Sequence, residues 1–345
     1  MVMKPIFKPY PIHLKPRPAW WKVRLPEIRR ELALVKKGRV EMILPGKGIA
    51  AVHYRDEVFP LPRNRWPAAA SSSDPDSFKT SGYEPQCVML IAGVHGAEPE
   101  GVAAVLNLIR LLETGRDLRG CTRPTLLRLL KRYRLVMVPC CNPDGRRISP
   151  DHMEGVPDAE FHRISQGIWR DGSTITWAQS KEYFPLPLER VAFPGGYPNR
   201  DGYNIMHDCT PGKLCTREAE AVLSLVERCQ PDLFLNLHSQ ERESLLCRPG
   251  TFNYAGNIRR GNQLAAKVYR ALVKAGIPAL EPKGASQALN LNTAAVMLSG
   301  TQALTYESSA CIGTFDQRLE AHYVMLETVL ASGLKKPFAP RNGLR

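Results

Sequence analysis

Three short stretches that lie far apart in the sequence contain the residues best suited to catalysis. His95 and Glu98 lie three residues apart in a glycine-rich stretch, while His238 and Glu307 each follow an apolar stretch much later in the chain. Two neutral imidazoles and one carboxylate form a common catalytic zinc site, in which the fourth position is left open for water. A further carboxylate, here Glu307, is what such a site needs as a general base. We therefore take hydrolysis as the first hypothesis.

The sequence around His95 predicts a strand, a tight turn and then a helix. Residues 88–94 form an apolar run of the buried-strand type, and glycines at positions 93, 96 and 101 allow the backbone to turn sharply. Pro99 disfavours a helical conformation at Glu98 but suits the first turn of a helix. A histidine and a glutamate near a strand end are often only structural. This strand–turn–helix context instead favours two side chains that face one point.

Apolar strands alternate with amphipathic helices along most of the chain. The turn at residues 45–48, flanked by apolar stretches, predicts a β-hairpin. Further strands are predicted at residues 88–94, 135–138, 233–237 and 303–306, and helices around residues 102–112, 216–229, 265–272 and 319–330. This alternation predicts an α/β fold with a mostly parallel, helix-covered sheet. In such sheets ligands bind beyond the carboxyl ends of the strands, which is where His95, His238 and Glu307 fall.

The composition is that of an ordinary globular protein. Of the 345 residues, 43% are apolar and 23% are charged. The apolar run in the core region is far too short to span a bilayer, and the first residues lack the apolar segment of a secretory signal. The nine cysteines include no CxxC pair. These features predict reduced thiols, a cytoplasmic setting and no membrane partner.

Positive charge is concentrated near the N-terminus. The formal net charge is +14, and residues 1–40 contain 11 Lys and Arg residues against Glu27 and Glu31. A basic arm of this kind, with Trp20 and Trp21 inside it, is able to bind an anionic polymer. The alternative is a solvated extension whose tryptophans pack on the domain. No nucleic-acid-binding motif accompanies the charge.

These motifs together resemble those of the zinc metallocarboxypeptidase family, which is related to the succinylglutamate desuccinylases. The family signature is His-x-x-Glu, a distant His and a late Glu that acts as general base, and His95, Glu98, His238 and Glu307 match it in that order. The turn at residues 142–145 (Asn-Pro-Asp-Gly) resembles one that is common in bacterial members and in the related acylase branch.

The resemblance extends over about residues 38–335 and implies a fold and a cofactor. The fold implied is an α/β/α sandwich around a mixed, mostly parallel eight-stranded sheet. Residues 1–37 are then a basic N-terminal extension, residues 146–200 an insertion in the catalytic domain, and residues 336–345 a C-terminal tail. The implied cofactor is one Zn²⁺ per chain, held by His95, Glu98 and His238.

One part of the sequence departs from the family pattern. The family carries Gly-x-Asp-x-Asn-Arg, whose arginine grips the terminal carboxylate of the substrate or steadies the oxyanion. Alignment on the stretch 202–204 (Gly-Tyr-Asn) makes Asn204 a substrate-site residue and puts His207 where the arginine belongs. Alignment on the Asn-Arg dipeptide selects Arg200 instead. A histidine is a weaker and pH-dependent anion clamp, so both candidates stay open.

The function expected from this resemblance is cleavage of a peptide or other amide bond by a zinc-dependent enzyme of the carboxypeptidase type. The substrate would be a peptide or an N-acyl amino acid, and Glu307 would take the proton of the attacking water and pass it to the leaving amine. An N-acyl amino acid deacylase or a peptidoglycan-peptide amidase would use the same metal ligands. A binding protein on a degenerate peptidase scaffold is the alternative of another class. Specificity is expected to depend on residues 146–200 and on a loop at residues 283–300.

Overall fold

A mixed β-sheet forms the centre of the fold. The computed structural model describes residues 7–55, 80–81, 85–209, 213–249, 255–282, 289–338 and 341–342. In chain order the strands are β1 (Arg39–Leu44), β2 (Ile49–Tyr54), β3 (Thr80–Ser81), β4 (Cys87–Ala92), β5 (Arg134–Val138), β6 (Ile168–Trp169), β7 (Val191–Phe193), β8 (Leu233–Gln240), β9 (Leu245–Leu246), β10 (Gln302–Ser309) and β11 (Arg341–Asn342). The main sheet has the order β1-β2-β5-β4-β8-β10-β9.

The centre of this sheet is parallel and its edges are antiparallel. Strands β5, β4, β8 and β10 run parallel to one another, whereas β1, β2 and β9 pair antiparallel with their neighbours. The predicted hairpin is confirmed, because β1 and β2 are joined by a turn of 3₁₀ helix at Pro45–Lys47. The mixed, mostly parallel sheet is also confirmed. Among the described residues it has seven strands, where the resemblance implies eight.

Helices connect the strands and cover the sheet. They are α1 (Leu25–Ala33), α2 (Pro99–Thr114), α3 (Pro124–Leu130), α4 (Pro143–Ile148), α5 (Asp158–Gln166), α6 (Trp177–Glu182), α7 (Arg217–Cys229), α8 (Ala255–Lys274), α9 (Leu291–Ser299) and α10 (Phe315–Lys335). The side chain of Thr216 accepts a hydrogen bond from the backbone N–H of Ala219, which is the N-cap predicted for α7. Each long helix predicted from the sequence is present.

The two faces of the sheet pack against different helices. The side chains of β4 alternate, so Val88 and Leu90 belong to a core shared with α2, α8 and α10, whereas Met89 and Ile91 belong to a core shared with α7 and α9. Both faces of a parallel strand are therefore buried, which explains its continuous apolar sequence. The result is the expected α/β/α arrangement, with the carboxyl ends of the parallel strands free to form a site.

The described part of the N-terminal arm packs on the domain. Trp21 is fully buried, and its ring lies edge-on to Phe315 with centroids 4.9 Å apart. Arg17 forms ion pairs with Glu27 at 2.7 Å and with Asp151 at 2.9 Å. These contacts support the packed arm that the sequence offered as one alternative. None of them supports binding of an anionic polymer.

The segments expected to control specificity differ in how much structure they have. The insertion at residues 146–200 contains the short elements α5, α6, β6 and β7. Residues 283–288 of the predicted loop lie outside the described part of the chain. Residues 291–299 form helix α9, so the prediction of a loop was wrong for these residues. Within the described residues, no helix combines the length and apolarity that crossing a bilayer requires.

Candidate metal centre

Three neighbouring strands bring the candidate catalytic residues to one edge of the sheet. Strand β4 ends at Ala92, three residues before His95, while His238 and Glu307 lie near the ends of β8 and β10. In the parallel pairing of β8 with β10, His238 and Glu307 are direct partners. Since β4, β8 and β10 are parallel, the three residues meet at the carboxyl edge, as predicted from the sequence.

Tight packing explains the glycines in the turn after β4. Gly93 has a φ of +60°, in the left-handed region that favours glycine. A Cβ at Gly96 would lie 2.1 Å from the backbone nitrogen of Arg146, so no other residue fits there without moving α4. Gly96, which lies between His95 and Glu98 in the turn, therefore packs directly against the backbone of α4.

The carboxylate of Glu98 lies between the two histidines. Its Oε1 is 2.9 Å from Nδ1 of His95, and its Oε2 is 2.8 Å from Nδ1 of His238. All three side chains are buried. One nitrogen or oxygen ligand atom from each residue lies within 4.8 Å of those of the other two. Two imidazole nitrogens and one carboxylate oxygen converging in this way fit a zinc ion, which prefers such a donor set.

Burial and the shared carboxylate shift the titration of this cluster in the metal-free chain. Burial alone would raise the pKa of Glu98, but the two histidines bring the pKa down to about 2. Burial alone would lower the pKa of His238, and the Glu98 carboxylate instead raises that pKa above its ordinary value. The carboxylate is thus held ionised, which is the form that binds a metal.

A polar residue and an aromatic residue fix the orientation of His95. Nε2 of His95 lies 3.1 Å from Oδ1 of Asn204. The ring of Tyr197 stacks on the imidazole with centroids 3.9 Å apart and an interplanar angle of 17°. Asn204 is buried behind the histidine. It contacts a proposed ligand directly, in a position suited to orienting that ligand.

Ser239 ties the two acidic residues of the glycine-rich turn to strand β8. Its backbone N–H donates a hydrogen bond to Oε2 of Glu98 at 3.2 Å, and its hydroxyl donates one to Oε2 of Glu100 at 2.7 Å. No pattern in the sequence identified Ser239, Glu100 or Tyr197 as part of the site. The only sequence signal for Ser239 was its position directly after His238.

Two cavities meet at this centre. A cavity of about 180 Å³ and one of about 240 Å³ share three lining residues, which are His95, Trp177 and Glu307. Burial raises the pKa of Glu307 to about 7, with Glu98 and Glu241 adding to the increase while His238 opposes it. Glu307 therefore faces the space in which a substrate would meet the metal ligands.

The two candidate anion clamps occupy different positions. His207 lines the smaller cavity together with Lys181 and Arg248, whereas Arg200 is exposed and lines neither of the two cavities. Burial lowers the pKa of His207 to about 4, and the neighbouring His95, Lys181 and His238 add to the effect. His207 is therefore uncharged at neutral pH. The cationic side chains of this cavity are those of Lys181 and Arg248.

Comparison with known protein families also indicates a zinc-dependent peptidase. A family model described as zinc carboxypeptidase matches residues 70–255, which is more than half of the chain. No curated protein matches the sequence.

The fold of this chain is similar to those of several solved structures. A metallo-carboxypeptidase from Burkholderia cenocepacia is 13% identical, with a TM-score of 0.55 over 89% of this chain and 68% of its own. A metallo-carboxypeptidase from Pseudomonas aeruginosa, solved with (2-guanidinoethylmercapto)succinic acid, is 14% identical, with a TM-score of 0.53 over 90% and 68%. Bovine thrombin-activatable fibrinolysis inhibitor, solved with tick carboxypeptidase inhibitor, is 11% identical, with a TM-score of 0.53 over 92% and 99%. At these identities the likeness concerns the fold.

Proposed function

Because this chain belongs to the zinc carboxypeptidase family, and is thus a metallopeptidase-type hydrolase, we propose that it cleaves a peptide or other amide bond through a metal-activated water and a glutamate base. One observation carries the proposal: the buried cluster of His95, Glu98 and His238 lies beside Glu307, where two cavities meet.

His95, Glu98 and His238 would hold one zinc ion per chain. When bound, zinc acts as a Lewis acid toward the substrate carbonyl and lowers the pKa of water. The chain itself contributes a fixed set of ligands, because Asn204 holds His95 at 3.1 Å and Ser239 holds Glu98 at 3.2 Å. Ligands supported in this way lose little freedom when a metal binds.

Glu307 is the general base of the proposed reaction. It takes the proton of the attacking water at its carboxylate and passes it to the nitrogen of the leaving amine. Its position in both cavities supports this role, because it places the carboxylate beside the three residues that would hold the metal. Its retention together with the metal ligands argues against a non-catalytic binding protein.

Lys181 and Arg248 would receive an anionic group of the substrate. Both line the smaller cavity with His95, His238 and Glu307, and the ammonium group of Lys181 lies 4.4 Å from the ring centroid of Trp177. A guanidinium binds a carboxylate through two parallel hydrogen bonds. These two cations would therefore replace the arginine that the motif at residues 202–207 lacks. A peptide with a free carboxylate and an N-acyl amino acid both present such a group.

The proposal is tested with a pooled library of peptides, N-acyl amino acids and peptidoglycan peptides. We expect the zinc-loaded protein to hydrolyse amide bonds in at least one pool, to lose that activity on dialysis against a chelator and to regain it with zinc. Products identified by mass spectrometry separate the peptidase from the deacylase and the peptidoglycan-peptide amidase. Absence of zinc-dependent hydrolysis across all pools would contradict the proposed function.

A further inference from the structure

A cavity larger than those at the metal centre lies between the N-terminal arm and helix α4. We call it the arm cleft. It has a volume of about 650 Å³, and it is lined by arm residues 9–17, by residues 24–29 at the start of α1 and by residues 146–152. It shares no lining residue with the two cavities at the metal centre. Its volume is in the range of small-molecule binding sites.

The side chains that line the arm cleft are strongly basic. They include Lys15, Arg17, Arg24, Arg29, Arg146 and Arg147, whereas Asp151 is the single carboxylate among them. That carboxylate is already engaged, because it accepts hydrogen bonds from Nε of Arg17 at 2.9 Å and from Nε of Arg24 at 2.6 Å. No second carboxylate of the described residues lines the cleft, so its lining residues do not neutralise the remaining positive charge.

Three of these cations are available to a ligand. Lys15, Arg29 and Arg147 are exposed, and none of them forms an ion pair with any residue in the described part of the chain. They come from three separate segments, namely the extended arm, helix α1 and helix α4. The packed arm thus places three unpaired cations around the arm cleft, although like charges repel one another.

A fourth cation lies buried behind the cleft. Arg146 is 3% exposed, and its guanidinium donates hydrogen bonds to the backbone carbonyls of Gly96 at 2.7 Å and Ser149 at 2.7 Å, and also to that of Pro150. No carboxylate of the described residues accepts a hydrogen bond from it. A buried guanidinium without a carboxylate partner adds to the positive field of the cleft, and it benefits from a nearby anion.

We propose that the arm cleft is a binding site for a compact, multiply charged anion of the phosphate class. The three free cations together match several negative charges in a small volume, which a single carboxylate does not supply. Two of these three free cations, Arg29 and Arg147, are arginines, whose planar fork fits phosphate oxygens in pairs. The site is separate from the proposed catalytic centre, and its occupation does not depend on hydrolysis.

Direct titration with inorganic pyrophosphate tests the site. Calorimetry on the zinc-loaded full chain should give saturable binding that weakens as salt is raised, because exposed charges are screened. The double variant Arg29→Gln/Arg147→Gln should weaken binding at least tenfold, since it removes two unpaired cations. The matched variant Arg128→Gln/Arg132→Gln removes the same charge from exposed positions outside the cleft, and it should bind like the wild type.

Two controls distinguish binding at the arm cleft from binding to the metal and from a loss of folding. The same affinity is expected for zinc-free protein, which excludes binding of pyrophosphate to the metal, and both double variants should unfold thermally like the wild type. Equal affinities of the two double variants, or no saturable binding by the wild type, would overturn the site. Tighter binding of citrate than of pyrophosphate would overturn its assignment to phosphate. Hydrolysis is not part of this readout, so the result is independent of the proposed catalytic function.

Discussion

Nε2 of His95 donates a hydrogen bond to Oδ1 of Asn204, a residue 109 positions later in the chain. The same oxygen accepts a hydrogen bond from the backbone N–H of Met206 at 3.0 Å. Since a backbone N–H is always a donor, the side-chain atom facing it must be the amide oxygen, and Nε2 must carry a proton. Nδ1, which lies 2.9 Å from the ionised Glu98, is then the nitrogen that would lose its proton and bind the proposed metal.

Asn204→Ala should weaken zinc binding by about 10–100-fold, because His95 loses the partner that sets its tautomer and orientation. Asn204→Asp keeps an oxygen acceptor for both His95 and Met206, and it should bind zinc about as tightly as the wild type. Competition with a chromogenic chelator measures both affinities. Wild-type affinity in Asn204→Ala would show that the hydrogen bond has no influence on the metal.

His95→Ala and His238→Ala should each lose zinc, because two remaining ligands do not hold it against dialysis. His162→Ala is a suitable control, since His162 lines the larger of the two cavities at the metal centre but lies outside the cluster of metal-binding side chains. Zinc content after dialysis, measured by mass spectrometry, should fall to background in the first two variants and stay at about one per chain in the third. Full occupancy in either of the first two would remove that histidine from the ligand set.

The sequence predicted those parts of the site that follow a local pattern. A glycine-rich turn after a buried strand and two carboxyl ends of parallel strands were enough to bring His95, His238 and Glu307 to one edge of the sheet. Tyr197 and Ser239 were not identified, because no spacing rule connects Tyr197 with the imidazole on which it stacks at 3.9 Å. Contacts of this kind depend on how the insertion folds over the sheet.

The fold was predictable because its strands and helices also follow local patterns. The structure of the N-terminal arm was only partly predictable. Continuous apolar runs predicted the parallel strands and a period of 3.6 predicted the long helices, since burial on both faces or on one face dictates these patterns. The arm carries basic residues and tryptophans without a period. Its charges alone left polymer binding and packing open, and the ion pairs of Arg17 with Glu27 and Asp151 became visible only in the structure.

Arg248→Gln should raise KM for a substrate with a free carboxylate about tenfold or more, the equivalent of ~1.4 kcal/mol, and should leave KM for its amide nearly unchanged. Arg200→Gln, outside the cavity, should change neither. Because the pKa of His207 is lowered to about 4, the charge of that imidazole is lost as pH rises through about 4, and KM should not follow its titration between pH 6 and 8. Equal effects of Arg248→Gln on the KM of both substrates would show that Arg248 does not bind the substrate carboxylate.

The lowered pKa of Asp151 predicts that the folded state loses stability in acid. Burial alone would raise its pKa, but the hydrogen bond from Arg17 and the charges of Arg146, Arg17 and Arg24 lower it below the ordinary value. The carboxylate therefore stabilises the folded state fully above about pH 4, the pKa in the unfolded chain, and this contribution is lost as pH falls through the lowered folded-state pKa.

Asp151→Asn should thus cost about 1–3 kcal/mol at pH 6, and the difference from the wild type should shrink toward pH 3. Urea unfolding at a series of pH values measures it. The exposed Asp201 gives a control variant, Asp201→Asn, for which we expect little change at any pH. A difference between Asp151→Asn and the wild type that did not depend on pH would mean that ionisation of Asp151 is not its source.

Zinc content and amide hydrolysis, measured on the same samples of wild type and Glu307→Gln, decide whether Glu307 is the base of a zinc-dependent amide hydrolase. Glu307 lies beside the ligand set and is not part of it. The variant should therefore keep about one zinc per chain and lose hydrolysis by ~10²–10⁴-fold, whereas Glu227→Gln, on the exposed side of α7, should keep both. Wild-type hydrolysis by zinc-loaded Glu307→Gln would contradict this mechanism, because Glu307 would not be the general base.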